Sequence, residues 1–213
     1  MNKIVLDNKD NEINIKDNTN NKIVLINEEN ISNKFIFNIE NNSNIIINIF
    51  DAAKSIDRNI TVNLNGKNSY VELNISSISL GNNNYTVNIL HNDKNNRSET
   101  NLHGLTIGEN KIEFKNNGYI KKGCIKSILN QDNKIITLDK NNSKIEPNLF
   151  IDEYDVSASH GAYIGKFKDE DIFYLKTRGL NEDEVNHLLI NGFLLNNFDE
   201  KDELEKMVSK YWR

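Results

Sequence analysis

Apolar and polar residues alternate along most of the first 150 positions. Ile13 and Ile15, Ile23 and Leu25, then Phe35, Phe37 and Ile39, then Ile45, Ile47 and Ile49 each recur at a spacing of two. The pattern continues through Ile60, Val62 and Leu64, through Val71, Leu73 and Ile75, through Tyr85, Val87 and Ile89, and on to Ile112 and Phe114. A period of two over four to six residues buries one face of a strand and wets the other. The many β-branched Ile and Val residues suit a pleated backbone. Early runs begin roughly 10–14 residues apart, and Asn, Asp, Gly and Lys fill the breaks. Positions 81–84 and 92–96 are expected at corners or loops. Two all-β architectures fit. A sandwich would use hairpins announced by pairs such as Asn65-Gly66 and Asn117-Gly118. A parallel β-helix would stack rungs that cannot bury their apolar face alone. Alternation by itself leaves both open.

Beyond residue 156 the period changes, so the chain divides into a β core over 1–156 and a turn with a helical segment over 157–213. Ile172, Phe173, Tyr174 and Leu175 predict a short helix over 169–178, with Gly179 as its C′ residue. Asn181 precedes a second helix and, with Glu184 three positions later, has the form of a capping box. The acids at 182–184 suit a helix N-terminus. Val185, Leu188, Leu189 and Phe193 form one stripe. A last helix over about 199–211 carries Leu204, Met207, Val208 and Tyr211 on one face. That tail needs another surface to cover it.

Composition narrows the function classes. Asn supplies 41 of the 213 residues and Ile 29. The Asn residues are interleaved with apolar ones, which places them at turns and on wet strand faces. The formal charge of −5 offers no basic excess for nucleic acid. No apolar run approaches the roughly 18 residues of a membrane span, and the first ten residues contain no signal-like apolar core. A cytoplasmic protein is expected. One cysteine, Cys124, excludes an intrachain disulfide and an all-Cys metal site. There is no P-loop, so ATP would be hydrolysed elsewhere.

Few residues invite chemistry. His160 lies between Ser159 and Gly161 in a segment that reads as a turn, where an imidazole is either a metal ligand or a cap on backbone carbonyls. Cys124 follows Lys121 and Lys122 and reads as a small buried residue rather than an activated thiol. His91, His103 and His187 lack ligand spacing. Asp152, Glu153 and Asp155 read as a solvated acidic run rather than a catalytic pair. Tyr174 and Arg178, one helical turn apart, are either a local packing pair or a docking face.

The segment from 157 to 193 resembles the core signature of the SufB/SufD family of iron–sulfur cluster assembly proteins. The matching residues are Ser159, His160, Gly161, Ala162 and Gly165, then Asp169, Glu170, Phe173, Tyr174 and Leu175. Arg178, Gly179, Glu184, Leu189, Ile190, Gly192 and Phe193 follow. Upstream, residues 133–151 match a further run ending in Pro147, Leu149 and Ile151. Gly161 after the motif His is a SufD-like feature. Ala158 stands where SufD chains often have Cys, and the family's N-terminal helical domain has no counterpart in this sequence. The resemblance implies a mainly β protein: a right-handed parallel β-helix followed by a short C-terminal helical segment. It implies a non-enzymatic scaffold that binds no cofactor stably alone. A transient iron–sulfur cluster at a partner interface would use His160 as a shared ligand. The implied partners are a SufB-like subunit, or a second copy, and a SufC-like ABC ATPase. The ATPase would dock on Phe173, Tyr174, Arg178, Leu189, Phe193, Leu204 and Val208, with the final helix expected to contribute most. Two rival readings are a family member reduced to an interaction module and a β-helix carbohydrate-active enzyme.

Overall fold

The computed structural model describes residues 2–4, 6–139 and 142–211. Eleven strands come first: β1 (Asn2–Ile4), β2 (Asn11–Ile15), β3 (Asn20–Asn27), β4 (Ile31–Ile39), β5 (Asn44–Leu64), β6 (Tyr70–His91), β7 (Arg97–Thr106), β8 (Lys111–Ile120), β9 (Ile128–Thr137), β10 (Lys144–Ile151) and β11 (Ser157–Gly165). Three helices follow: α1 (Asp169–Thr177), α2 (Glu182–Leu194) and α3 (Lys201–Tyr211). Every strand pair is parallel. One wall runs β1, β3, the first half of β5, the first half of β6, β7, β9, β11. The other runs β2, β4, the second halves of β5 and β6, β8, β10. The chain is therefore a parallel β-solenoid of about six turns, and the sandwich alternative is excluded.

The period-two pattern becomes vertical columns. Ile4, Ile23, Ile47 and Leu73 sit directly above one another on the first wall. Ile13, Phe37, Val62 and Ile89 do so on the second. All but Ile4 and Ile13 are fully buried. Each such side chain contributes about 1.5–3 kcal/mol of burial, but only once the next rung covers it.

Asparagine sets the corners. Asn18, Asn42, Asn68 and Asn95 have φ between 53° and 59°, and Lys126 continues the stack at 57°. Asn is the L-residue that tolerates this left-handed conformation best. The Asn42 amide donates to Asn18 Oδ1 at 3.2 Å, Asn68 to Asn42 at 3.0 Å and Asn95 to Asn68 at 3.1 Å. Each corner is thus read by the one above it. A second ladder, Asn48, Asn74 and Asn101, runs up the first wall at 2.9 and 2.7 Å.

Several expected breaks lie inside strands. Residues 81–84 fall within β6, which bends there without interruption. A side chain at Gly81 would stand 2.3 Å from the Lys54 carbonyl oxygen, so the bend requires glycine. Asn117-Gly118 lies within β8 for the same reason: it faces neighbours above and below, not solvent. Residues 157–165 are likewise not a turn but the last strand, so the solenoid extends to Gly165. The small side chains of Ser157, Ala158, Ser159, Gly161 and Ala162 gave no period-two signal.

A buried charge pair stands beside the β5 bend. Arg58, fully buried, donates through Nε (2.9 Å) and Nη2 (2.6 Å) to Asp51, also fully buried. Arg58 also donates to Asn33 Oδ1 (3.1 Å) and Asn8 Oδ1 (3.0 Å). Tyr85 and Asn27 donate to Asp51 at 3.1 Å each.

The helices cover the first wall. Asn181 forms the full capping box with Glu184. Ile190, Leu194, Leu195 and Phe198, with Leu204 and Val208 of α3, pack onto Phe50, Ala52, Ile78, Leu105 and Ile136. Ser76 donates to the Leu194 carbonyl at 2.6 Å and Asn197 to Asn74 at 2.9 Å. Lys210 and Tyr211 close on Glu28 at 2.8 and 2.5 Å. Among the described residues no helix is long and apolar enough to cross a membrane.

Candidate functional site

The interior changes character toward the C-terminal end. Above Leu73 the first-wall column continues with Thr100, Gln131 and His160. The neighbouring column passes from Leu102 to Asn133 and Ala162, and Asn116 faces them from the second wall. Thr100, Asn116, Gln131 and Asn133 are all buried. Asn116 donates to Thr100 Oγ1 (2.8 Å) and to Asn133 Oδ1 (2.9 Å), and Asn133 donates to the Gly161 carbonyl at 3.0 Å. Four apolar rungs therefore give way to a layer of amides directly beneath His160.

His160 itself is exposed. Ala158, two residues earlier, packs inward beside Leu129 and Cys124. A side chain built at Gly161 would face Asp132 at 3.7 Å, on the outer side. Strand alternation therefore turns His160 to the interior side of β11, above which no further rung lies among the described residues. β11 pairs only with β9 and β10 only with β8, so both present a free edge among the described residues. Phe150, Tyr154, Tyr163 and Ile164 are exposed around this end.

The outer side of the two rungs beneath His160 carries charge. Asp132, in register with Gly161, lies 3.8 Å from His103 Nε2 and 2.6 Å from Lys134 Nζ. Those two neighbours, His103 foremost, hold its carboxyl down to about 2. His103 Nδ1 is 2.9 Å from the Phe193 carbonyl oxygen, and the two rings stack with centroids 4.6 Å apart. Phe193 of α2 is thereby tied to β7, two rungs below His160. The isolated histidines at 91 and 103 gave no sequence signal for these places.

Cys124 is remote from solvent. Its thiol donates to the His91 carbonyl at 3.2 Å, and burial pushes its pKa up. His91 lies in an interior column between Leu64 and Ile120, where burial lowers its pKa to about 4. Glu153 is held at the adjacent corner by the backbone N–H groups of Gly123 (2.9 Å) and Tyr154 (2.8 Å). Among the described residues no three His, Cys, Asp or Glu side chains converge as a metal site.

The seven residues expected on a docking face separate. Phe173 and Tyr174 on α1 are exposed, at 70% and 56%, and α1 buries no residue. Arg178 is exposed, bonds Tyr174 Oη at 3.1 Å and lies over its ring. Leu189 and Phe193 are half-buried. Leu204 and Val208 are completely buried against the solenoid. The wall of β3, β5, β6 and β7 supplies the cover that α3 was expected to take from a partner. Leu188, read as part of the α2 core stripe, is instead 50% exposed, and Ile190 and Leu194 replace it.

The solenoid thus ends on two strands with free edges and a polar inner layer, and α1 presents exposed aromatic side chains. Residues 3–193 match the family model for the SufBD core domain of the SUF system for FeS cluster assembly. The chain belongs to that family. It is 31% identical over 137 residues to the iron–sulfur cluster assembly protein SufD of Bacillus subtilis, covering 63% of this chain and 31% of that protein. It is 44% identical over 48 residues to SufD of Escherichia coli, covering 22% and 11%. A SufBD family protein of Pyrococcus horikoshii is 39% identical over 62 residues, covering 28% and 14%. The chain is SufD-like, and it spans about a third or less of the length of these relatives.

Proposed function

We propose that this chain is a cytoplasmic, non-enzymatic subunit of an iron–sulfur cluster assembly complex. The cluster is its cargo. The open end of the solenoid meets a SufB-like chain or a second copy, and His160 contributes one ligand to a cluster completed by thiolates of that partner. The exposed face of Phe173, Tyr174 and Leu188 receives a SufC-like ATPase. The observation that supports this reading best is His160 at the open end of a solenoid whose last strands have free edges. Backbone N–H and C=O groups on such edges favour pairing with another strand. The fit to a cluster is partial within one chain: the open end offers the His160 imidazole, and the chain's one thiol, Cys124, is buried. A partner must therefore supply the remaining ligands.

The test is reconstitution with iron and sulfide, alone and with a SufB-like partner. Visible cluster absorbance is expected only with both chains present and is expected to fall in His160→Ala. Unchanged incorporation in that variant removes the ligand role and leaves the interaction-module reading, which the burial of Cys124 favours. Loss of ATPase capture in Tyr174→Ala with folding intact tests the docking face.

A further inference from the structure

Gln131 lies directly beneath His160 in the same interior column. It is 4% exposed. Its Nε2 donates to two backbone carbonyls, Asn116 on β8 at 3.2 Å and Asn148 on β10 at 3.4 Å. Carbonyl oxygens only accept, so the amide's orientation is fixed with nitrogen toward them. Oε1 is then the atom left over, and it is buried with no hydrogen-bond partner. A buried acceptor without a donor is costly, and in a native protein it marks a missing partner.

In-register residues of adjacent parallel strands stand about 4.8 Å apart with their side chains directed alike. The residue in register with Gln131 on the strand above is His160, whose imidazole makes no hydrogen bond among the described residues, Gln131 included. We propose that Gln131 is the positioning residue for His160: with the ring rotated about its side-chain bonds toward the strand below, Oε1 accepts from one ring nitrogen, so that the other nitrogen keeps a bare lone pair directed out of the open end. A histidine that ligates a metal commonly donates its second N–H in this way, which fixes tautomer and ring orientation together. The amide layer suits the task. It stays neutral, and its own donors are already committed, so it asks a donor of the imidazole and nothing else. Asn133, donating to the Gly161 carbonyl from the same layer, holds the strand in place while the ring is oriented.

This inference rests on the ligand reading of His160, but its test does not need iron. Long-range proton–nitrogen NMR on the full, metal-free chain reports the His160 ring nitrogens. A single tautomer is expected, one nitrogen protonated and one bare. Gln131→Met removes the acceptor at nearly constant length and is expected to give averaged nitrogen signals. A purely structural role for Gln131 would leave the ring state equal in both chains. A tautomer mixture in the wild-type chain, or an unchanged ring in Gln131→Met, overturns the proposal, and the wild-type measurement decides even where a variant fails to fold. A single tautomer that depends on Gln131, combined with cluster incorporation indifferent to His160→Ala, would sink the ligand reading and leave this hydrogen bond standing.

Discussion

Arg58→Met isolates the buried ion pair at the β5 bend. The substitution keeps most of the apolar stem and deletes the guanidinium. Asp51 then loses its donations from Nε at 2.9 Å and Nη2 at 2.6 Å and keeps Tyr85 and Asn27 at 3.1 Å each. Both partners are fully buried, so water cannot replace the lost donors. An unpaired buried carboxylate of this kind costs about 3–5 kcal/mol. Adding Asp51→Asn should return about 2 kcal/mol of that loss. The charge is then gone, and the remaining groups hold other partners: Tyr85 with Ser77 at 2.9 Å, Asn27 with the Glu29 carbonyl at 2.8 Å. Urea unfolding followed by circular dichroism measures the series, with the slope compared across variants because a solenoid can unfold in parts. The reasoning fails if Arg58→Met costs under about 1 kcal/mol, or if the double variant is the sum of the two single ones.

Other expectations can be checked on the same material. Leu204→Ala should destabilise the chain by about 2–4 kcal/mol by opening a cavity under α3, whereas Phe173→Ser should shift urea midpoints little. Equal effects would mean that α1 is also packed. Asn42→Ala should cost about 1–2 kcal/mol, since alanine is strained at φ 53° and the ladder loses its donor to Asn18; Asn42→Gly should recover the conformational part. His91, lowered to about 4 by burial, stays neutral in the folded state while the unfolded chain protonates near 6.5. Its contribution is therefore complete above about pH 6.5 and is lost as pH falls toward 4, up to about 3 kcal/mol. His91→Gln should flatten that part of the stability profile.

The strands were legible because Ile, Val, Leu and Phe recur at a spacing of two, but alternation fits a sandwich as well, and their stacking into solenoid columns was expected from the family resemblance alone. The helix ends were legible because Asn181, Glu184 and Gly179 act locally. The end rung was not. Its inward positions are Ala158, His160 and Ala162, too small or too polar to give an apolar signal, and no strand among the described residues lies above them. Residues 81–84 misled for the opposite reason: Asn82, Asn83 and Asn84 stay in the sheet, in register with Ser55, Ile56 and Asp57 on one side and Lys111, Ile112 and Glu113 on the other. The place of α3 followed from its apolar face, but which surface covers that face depends on contacts some 150 residues distant in sequence. His160 drew attention through a motif, whereas the Thr100 hydroxyl and the three amides beneath it, scattered over β7, β8 and β9, come together only through registers of 29 to 31 residues.

The left-handed asparagine corner has a bearing on how such a chain can change length. Matched residues are 24 apart in the early rungs and 31 apart between β7 and β9, yet the corner conformation stays constant from Asn18 to Lys126. The extra residues are taken up elsewhere on the circumference. One edge of the coil thus serves as a plumb line, and the remaining perimeter is free to bulge, lengthen or accept inserted segments. Insertions there should be tolerated, while even a one-residue deletion beside the asparagine edge would throw every storey above it out of true.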